Sequence, residues 1–382
     1  MDSLIKPGDD NALFEVTLLP ARYGDGLWIR YGTISEPHHI LIDGGTRGTA
    51  SAIAKLLREL PEDRRIIDLL VVTHLDRDHI EGILALLEPD ELSFKINEIW
   101  FNGWPQLIGK TAVEAFGARQ AEELSARILA HGLCWNEKFG GKAVIVPEEG
   151  DLPEIILPGG MELILLSPFR KNLDELIPVW EEELRRLNLE PGYGVQQTPL
   201  GVEAFGGINI EELNELCFHE DDSAGNGSSI AFIARYAGKR CLFAGDALPS
   251  VILAALNRKE RGSYPVDLFK ISHHASAHNT SPDLLDKVPG RRYAISTNGS
   301  IYSHPSKETM ARVIKRAGAG QELVFNYRTK FTDIWEEKDL RRRYRYRTRY
   351  PDGEGITIDL LEKLKDWDET EFGLGLGDDE LV

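Results

Sequence analysis

The feature that most constrains this chain is a short polar loop that follows a strongly apolar run. Residues 66–72 predict a buried strand, and the sequence Thr-His-Leu-Asp-Arg-Asp-His follows at residues 73–79. This loop carries two histidines and two aspartates, and neutral imidazole and carboxylate are the usual ligands of Zn²⁺ and related divalent ions. The alternative is a polar turn that contains these residues by chance. So dense a set of ligand-type side chains favours a metal centre.

Other apolar runs also end in glycine, aspartate or histidine. Asp43 stands in an Asp-Gly-Gly turn, and Asp246 follows Gly245 at the end of another run. Two further runs lead to the pair His273-His274 and to Ser303-His304-Pro305. Strand ends of this kind are where sheet-based enzymes place their chemistry, because a rigid strand positions the loop that follows it.

The order of these motifs resembles the metallo-β-lactamase superfamily. The order is Asp-Gly-Gly, His-x-Asp-x-Asp-His, Gly-Asp, His-His-x-Ser and Ser-His-Pro, and within the superfamily it is most similar to the hydrolase domain of the competence protein ComEC (Rec2). The common superfamily pattern is His-x-His-x-Asp-His, whereas Asp76 replaces the second histidine here, as in the ComEC-like branch. A carboxylate at that position moves the site toward harder ions such as Mn²⁺.

The resemblance implies a centre of two divalent ions, Zn or Mn. His74 and Asp76 would hold one ion, Asp78 and His79 the other, and Asp246 would bridge them. His273 and His274 would complete the ligand set. Adjacent side chains diverge in an extended segment, so both can be ligands only if the backbone turns sharply; otherwise one of the pair contacts phosphate or supports a ligand. Asp43 is expected to orient His74 or His79 rather than to bind an ion.

The remaining site predictions concern catalysis and substrate. Asp78 and His304 are the catalytic candidates, with His304 protonating a leaving group or contacting a non-bridging oxygen. The alternative for His304 is a structural cap on the helix predicted over residues 307–316. Asn226 and Ser228 are expected to line the mouth of the site, since ComEC-like proteins carry a similar Asn-x-Ser segment, and Asn298 is a further candidate.

Composition restricts the class of protein. The chain of 382 residues has 42% hydrophobic and 28% charged residues, which is typical of a soluble globular protein. Its start lacks a signal-peptide core, and its three cysteines are widely spaced, so a reducing cytoplasm and no disulfide framework are expected. No apolar run is long enough to predict a membrane span. The net charge of −18 argues against unassisted binding of long nucleic acids.

The predicted architecture is α/β: an αββα sandwich with a helical insertion and a C-terminal β extension. Residues 10–108 and 226–330 would form the two halves of the sandwich, and residues 109–225 a largely helical and loop-like insertion. Residues 331–382 would form an Arg/Tyr-rich hairpin and an acidic tail. Strands alternating with helices in both halves favour two mixed sheets with helices outside them. The predicted helices include residues 80–87, 111–130, 282–287 and 307–316. A hairpin turn is predicted at Ala237-Gly238, a Pro/Gly-rich loop over 188–207 and an acidic tail over 366–382.

The most basic segment alternates arginine with tyrosine or threonine. In a strand, this pattern places Arg343, Arg345, Arg347 and Arg349 on one face, where they could bind a phosphate backbone. The alternative is an edge strand whose tyrosines are buried and whose arginines pair with acidic neighbours.

Three functions remain open on the sequence. The first is a metal-dependent phosphodiesterase, a nuclease on DNA or RNA, with a partner protein supplying basic surface. The second is a hydrolase of a small ester, thioester or nucleotide, because a fold does not fix a substrate. The third is a non-catalytic metal-binding component of a larger complex.

Overall fold

The computed structural model describes residues 11–89, 92–109, 119–186, 208–316 and 318–364. The strands in these ranges are β1 (Ala12–Leu18), β2 (Leu27–Thr33), β3 (Pro37–Ile42), β4 (Ile66–Ile67), β5 (Leu69–Val71), β6 (Lys95–Ile96), β7 (Ile99–Trp100), β8 (Glu154–Ile156), β9 (Glu162–Ser167), β10 (Ala231–Tyr236), β11 (Lys239–Phe243), β12 (Val266–Lys270), β13 (Gly290–Ile295), β14 (Gln321–Phe325), β15 (Tyr346–Arg349) and β16 (Ile356–Asp359).

The α-helices in the same ranges are α1 (Ala50–Glu59), α2 (Arg77–Leu86), α3 (Trp104–Leu107), α4 (Arg119–Ala130), α5 (Arg170–Arg186), α6 (Ile210–Glu215), α7 (Ala224–Gly227), α8 (Pro249–Lys259), α9 (Pro282–Lys287), α10 (Lys307–Arg316) and α11 (Lys338–Tyr344). Within the described part of the chain, every helix is too short or too polar to span a lipid bilayer.

Two large sheets form the centre of the molecule. The six-stranded sheet has the order β16-β1-β2-β3-β5-β7, and the eight-stranded sheet has the order β15-β14-β13-β12-β11-β10-β9-β8. A small third sheet pairs β4 with β6. Strands β3 and β5 run parallel, as do β11, β12 and β13. The carboxyl ends of the strands in each group therefore lie on the same side of their sheet.

The strand residues alternate between two cores. Phe14 and Ile29 belong to the larger core, where the ring of Phe14 lies 5.7 Å from that of Tyr236 in the opposite sheet. Leu41 and Leu70 point the other way, into a second core shared with α1, α2 and α4. Alternate residues of a strand point to opposite faces of its sheet. Both sets can be buried only if another layer of structure covers each face. Helices α8 to α10 cover the eight-stranded sheet, so the predicted αββα sandwich is confirmed.

Part of the predicted insertion belongs to the sandwich instead. Within residues 109–225, β8 and β9 pair antiparallel with each other, and β9 pairs with β10. The apolar side chains of β9 fill the core between the sheets, which is why this segment joins the sheet. The expected helix over residues 111–130 is observed from Arg119 onward. Residues 111–118, the loop predicted over 188–207 and the tail from 366 to 382 lie outside the described residues.

The predicted C-terminal hairpin is wrong. β15 pairs with β14 in the eight-stranded sheet, whereas β16 pairs with β1 in the six-stranded sheet, so the connection between them crosses from one sheet to the other. β15 and β16 thus become the outermost strands of two different sheets. The segment between β15 and β16 therefore connects the two sheets at their outermost strands.

The predicted cationic strand face is also wrong. Arg343 lies in α11, whose first turn is capped by the Glu337 side chain, and Arg345 ends that helix in a left-handed conformation with φ 54°. Only Arg347 and Arg349 lie in the strand. Arg343 lies 3.6 Å from a carboxylate oxygen of Glu211, and Arg349 lies 3.7 Å from one of Glu322. The i to i+4 contact pattern of a helix and the alternation of a strand are both compatible with this sequence, and tertiary packing selects between them.

Candidate metal centre

The candidate ligands arrive on loops that follow β5, β11 and β12. His74 comes just after β5, Asp246 just after β11, and His273 just after β12. The predicted helix over residues 80–87 starts earlier, at Arg77, so Asp78 and His79 lie in the first turn of α2. Parallel strands thus deliver ligands from distant parts of the sequence to one edge of the sandwich.

Asp43 orients His79. It follows β3, adopts φ 58°, and its Oδ2 lies 2.8 Å from Nδ1 of His79. Its Oδ1 accepts a hydrogen bond from the Thr73 amide at 2.7 Å, which fixes the carboxylate. A carboxylate here requires the proton of His79 to sit on Nδ1, so Nε2 keeps a lone pair. The position of Asp43 is the one predicted for a residue that supports a ligand.

Thr73 extends the same arrangement to His74. Its hydroxyl donates to Asp43 Oδ2 at 2.8 Å, and its oxygen lies 3.0 Å from Nδ1 of His74. A hydroxyl has one proton, so Nδ1 of His74 must donate to it. Nε2 of His74 therefore also presents a lone pair.

The backbone turns sharply at the His-His pair. His273, His274 and Ala275 have φ values of 47°, 53° and 65°, which is the left-handed region that side chains other than glycine rarely adopt. This turn meets the condition under which both neighbouring imidazoles can face one centre. Strain held at such a position is a common feature of functional loops.

Each histidine of the pair has its own partner behind it. Nδ1 of His274 lies 3.0 Å from the carbonyl oxygen of Ser296, an atom that can only accept. Nδ1 of His273 lies 2.9 Å from Oδ1 of Asn279. The Asn279 amide nitrogen donates to Asp221 and to the Asp246 carbonyl, so its oxygen must face His273. Both imidazoles are thereby protonated on Nδ1 and leave Nε2 free.

Asp246 lies at the centre of the four imidazoles. Its Oδ2 is 3.4 Å from Nε2 of His79, and the same oxygen lies at similar distances from the other three rings. Those distances are 3.7 Å for His74, 3.7 Å for His273 and 3.9 Å for His274. Asp246 is 1% exposed, and its amide is held by the hydroxyl of Ser229 at 3.0 Å.

Asp78, in the first turn of α2, and Asp76, the residue before that helix, approach the same cluster. Oδ2 of Asp76 lies 3.7 Å from Nε2 of His74, and Oδ2 of Asp78 lies 3.3 Å from Nε2 of His274. Ligand atoms of two groups each fall within 4.8 Å of one another. The groups are His74, His79 and Asp246, and Asp78, His79 and His274. The structure therefore brings all seven sequence-predicted ligands to one place.

The donor set fits divalent cations. Nε2 of His74, His79 and His274 and Oδ1 of Asp246 are buried and have no hydrogen-bond partner. Lone pairs that face a carboxylate cannot bond to it, and buried polar groups without partners are costly. A cation shared by imidazole and carboxylate satisfies every one of these atoms.

The electrostatics point the same way. Burial alone would lower the pKa of His79, but the carboxylates of Asp246, Asp43 and Asp78 raise it well above the ordinary value. The pKa of His274 is raised to about 10 against the effect of burial, mainly by Asp25 and Asp246. Burial would raise the pKa of Asp246, yet the surrounding imidazoles hold it well below its usual range. The cluster is thus a site of negative potential that positive charge would neutralise.

His304 lies beside the cluster and has no carboxylate of its own. Its ring centroid is 6.0 Å from that of His273 and 5.7 Å from that of Tyr302, which is half exposed. Burial, with His273 and His274 nearby, lowers the pKa of His304 to about 3. The imidazole is therefore neutral at pH 7 and suited to contact a substrate oxygen. The catalytic role predicted for His304 and Asp78 stays a prediction.

The three residues predicted to contact substrate have different surroundings. Asn226 is buried beside the centre, with Nδ2 3.3 Å from Nδ1 of His273 and its Oδ1 without a partner. The hydroxyl of Ser228 instead donates to the Gly225 carbonyl at 2.6 Å. Oδ1 of Asn298 accepts from the Ser300 amide at 3.0 Å, which closes its own turn. Asn226 thus has an unpartnered buried oxygen beside a candidate ligand.

Sequence reasoning missed a buried ion pair below His274. Nζ of Lys270 lies 2.7 Å from Oδ2 of Asp25, and Oδ1 of Asp25 lies 3.4 Å from Nδ1 of His274. Both members of the pair are at most 2% exposed. The Gly-Asp-Gly turn around Asp25 was a signal, but only the fold shows that it reaches the other sheet. Asp221 and Ser229 were missed for the same reason.

Two glycines allow α2 to approach the Asp43 loop. A Cβ on Gly82 would lie 1.9 Å from the Gly44 carbonyl oxygen, and one on Gly44 would lie 2.4 Å from the Ile83 nitrogen. The amide of Gly44 donates to the His79 carbonyl at 2.7 Å. This backbone contact sets the distance between Asp43 and His79.

Comparison with known proteins gives a likeness in fold. No family model matches the chain, and no curated protein matches it. The metallo-β-lactamase fold protein YhfI from Bacillus subtilis is 12% identical, with 91% of this chain and 99% of that chain covered and a TM-score of 0.39. A candidate metal-dependent hydrolase from Parabacteroides distasonis is 12% identical, with 89% and 94% covered and a TM-score of 0.36. These likenesses concern the fold, and function is inferred from the site.

Proposed function

We propose that this chain is a metal-dependent hydrolase that uses two divalent ions to activate water, and that its substrate is a phosphodiester. One observation carries the proposal. Four imidazole Nε2 atoms, each left with a lone pair by the partner on its Nδ1, surround one oxygen of the buried Asp246 at 3.4 to 3.9 Å. The carboxylates of Asp76 and Asp78 at the start of α2 complete a set of seven donors, more than one ion of ordinary coordination needs.

The residues divide into two overlapping sets. In this proposal His74, Asp76 and His273 would hold one ion, Asp78, His79 and His274 would hold the other, and Asp246 would serve both. Asp246 has one oxygen near all four rings and a second, unpartnered oxygen, so it can serve both sets. A mixed imidazole and carboxylate set suits Zn²⁺ and, with Asp76 in place of a histidine, Mn²⁺.

The chemistry follows from the charges that these residues control. If these residues hold two ions, the metal chemistry supplied there would be a lowered pKa of water, which gives a nucleophile, and an offset of charge on a phosphoryl oxygen. Asp43 and Thr73 keep two imidazoles in the tautomer that such binding requires. His304 presents a neutral ring beside His273, where it can hydrogen-bond to a substrate oxygen.

Three features bear on the identity of the substrate. The motif order resembles the ComEC-like branch, which implies nucleic acid. The net charge of −18 and the pairing of Arg343 and Arg349 with carboxylates weaken direct binding of a long polynucleotide. We therefore include in the proposal a partner protein that supplies basic surface. The same acidity favours, as a second candidate, a small ester or thioester substrate.

An activity screen tests the proposal. Metal-free protein is loaded with Mn²⁺ or Zn²⁺ and given bis(p-nitrophenyl) phosphate, single- and double-stranded DNA, RNA and p-nitrophenyl acetate. We expect phosphodiester cleavage that falls on the order of 10³-fold in Asp246→Asn, because a metal centre contributes several kcal/mol. Asp68→Asn is the matched control and should retain activity, because Asp68 is a largely buried aspartate that contacts His38 of β3 and no candidate ligand. Cleavage of the acetate alone would select the second candidate, and no cleavage with either metal would refute the hydrolase.

A further inference from the structure

Asp221 lies near Nδ1 of His273, as Asp43 lies near Nδ1 of His79, but at a longer distance. It lies in the segment between α6 and α7, and its Oδ2 is 3.8 Å from Nδ1 of His273. At that distance the carboxylate does not hydrogen-bond to the ring directly. Its contacts instead go to the two asparagines that flank the ring.

Both asparagine amides donate to one oxygen of Asp221. Nδ2 of Asn226 lies 2.5 Å and Nδ2 of Asn279 lies 3.0 Å from Oδ2 of Asp221, while Oδ1 accepts from the Ser223 amide at 3.0 Å. An amide can present either its oxygen or its nitrogen to a neighbour, and an ionised carboxylate only accepts. Asp221 therefore forces both nitrogens toward itself.

The orientation of Asn279 decides the tautomer of His273. With its nitrogen held by Asp221, Asn279 turns Oδ1 to Nδ1 of His273 at 2.9 Å, and the ring must donate there. Nε2 then faces Asp246 at 3.7 Å with its lone pair free. Without the carboxylate, only the Asp246 carbonyl at 3.2 Å would hold the Asn279 nitrogen, and Asn279 could rotate and offer that nitrogen to the ring.

The segment that carries Asp221 is itself fixed to the histidine loop. The Asp221 amide donates to the His278 carbonyl at 3.1 Å, and Nδ1 of His278 lies 2.8 Å from the His219 carbonyl oxygen. The buried Arg312 donates to the Ala277 carbonyl at 2.8 Å and stacks over Phe218 at 5.2 Å. These contacts hold the carboxylate in register with the loop, although the two segments are about fifty residues apart.

We infer that Asp221 is a positioning residue, which fixes the tautomer of His273 through Asn279 and so completes the proposed metal set on the His74 side. The inference rests on the proposed metal centre. It adds that the segment before α7 supports a ligand of that centre as well as connecting α6 to α7. The consequence is an asymmetry: loss of Asp221 affects one side of the centre, and loss of Asp43 affects the other.

The test uses the full chain and two readouts. In metal-free protein, long-range ¹⁵N–¹H spectra of histidine report the tautomer of each ring, with His273→Gln assigning the signal. We expect His273 to be protonated on Nδ1 in the wild type and to become a mixture in Asp221→Asn. Titration with Mn²⁺ should then show one of two ions bound 10- to 100-fold more weakly, as is typical for the loss of a residue that supports a ligand.

Asp222→Asn is the matched control, because it removes the same charge from the exposed neighbouring residue. Asp221→Glu keeps a carboxylate and should recover part of the affinity. If Asp221→Asn matches Asp222→Asn in tautomer and in both affinities, the inference is overturned. If Asp221→Asn does not fold, Asn279→Ala takes its place, because it removes the oxygen to which His273 donates, and an unchanged tautomer with unchanged affinities in that variant also overturns the inference. Failure of the proposed function is separable, since a wild type that binds no metal still gives the tautomer result.

Discussion

Nδ1 of His79 lies 2.8 Å from Oδ2 of Asp43, and Asp43 holds that position from a backbone with φ 58°. The two residues come from different loops, and the contact determines which nitrogen of His79 faces the centre. Replacing Asp43 with Asn should weaken binding of one Mn²⁺ ion 10- to 100-fold, since an amide can meet the ring with its nitrogen. Calorimetric titration measures the change, and Asp68→Asn should leave both affinities as they are.

Metal binding should stabilise the folded chain. Ligands that bind only the native state add about 2.7 kcal/mol at a hundred times the dissociation constant. We therefore expect excess Mn²⁺ or Zn²⁺ to raise the midpoint of thermal unfolding of metal-free protein, and a chelator to reverse the rise. Asp246→Asn should abolish most of the effect. An equal rise in wild type and Asp246→Asn would show that the ions bind elsewhere.

The approach of α2 to the Asp43 loop should not tolerate a methyl group. A Cβ on Gly82 would lie 1.9 Å from a backbone oxygen, which has no room to move without displacing the loop. We expect Gly82→Ala to lower the free energy of unfolding by about 3 kcal/mol in urea titrations. Gly48→Ala is the control, because a Cβ there meets only the Arg22 side chain at 3.9 Å. Similar stability in the two variants would contradict the close contact.

The buried pair of Lys270 and Asp25 should be stabilising only as a pair. Lys270→Met leaves the Asp25 carboxylate buried without its cation, at a cost of about 3–5 kcal/mol. The double variant with Asp25→Asn should recover much of that loss. The exposed pair of Lys315 and Glu211 offers a comparison, for which Lys315→Met should cost at most about 1 kcal/mol. Chemical denaturation of the wild type, Lys270→Met, the double variant and Lys315→Met measures these differences in the free energy of unfolding.

Glu122 should make stability depend on pH. Burial in α4 raises its pKa to about 8 from 4.5, and its Oε1 has no partner. A carboxyl group whose pKa is raised in the folded state is fully accommodated below pH 4.5 and destabilises the fold progressively as the pH rises to 8. Glu122→Gln should gain about 1–2 kcal/mol relative to wild type between pH 5 and 8. A difference that is constant across this range would contradict the raised pKa.

Much of the fold was readable from local patterns. The helices over 282–287 and 307–316 have the predicted bounds, and the hairpin of β10 and β11 turns at the predicted Ala237-Gly238. Strand and helix periodicity are local properties, so a window of ten residues suffices to predict them. The prediction of one strand over the Arg/Tyr segment was wrong because the pattern of this segment fits a helix followed by a strand equally well.

The sequence by itself determined the chemistry of this protein, because residue types are intrinsic. Two histidines and two aspartates in one loop, with Asp246 and His273-His274 after later strands, define a donor set for divalent ions whatever the fold. The tertiary structure decided how these donors are arranged in space and which residues support them. It placed Asp246 among four rings, turned the backbone at His273, and brought Asp43, Asp25 and Asp221 behind the ligands. Such supporting contacts join residues far apart in the chain, and their energies depend on burial and orientation, which only a folded chain possesses.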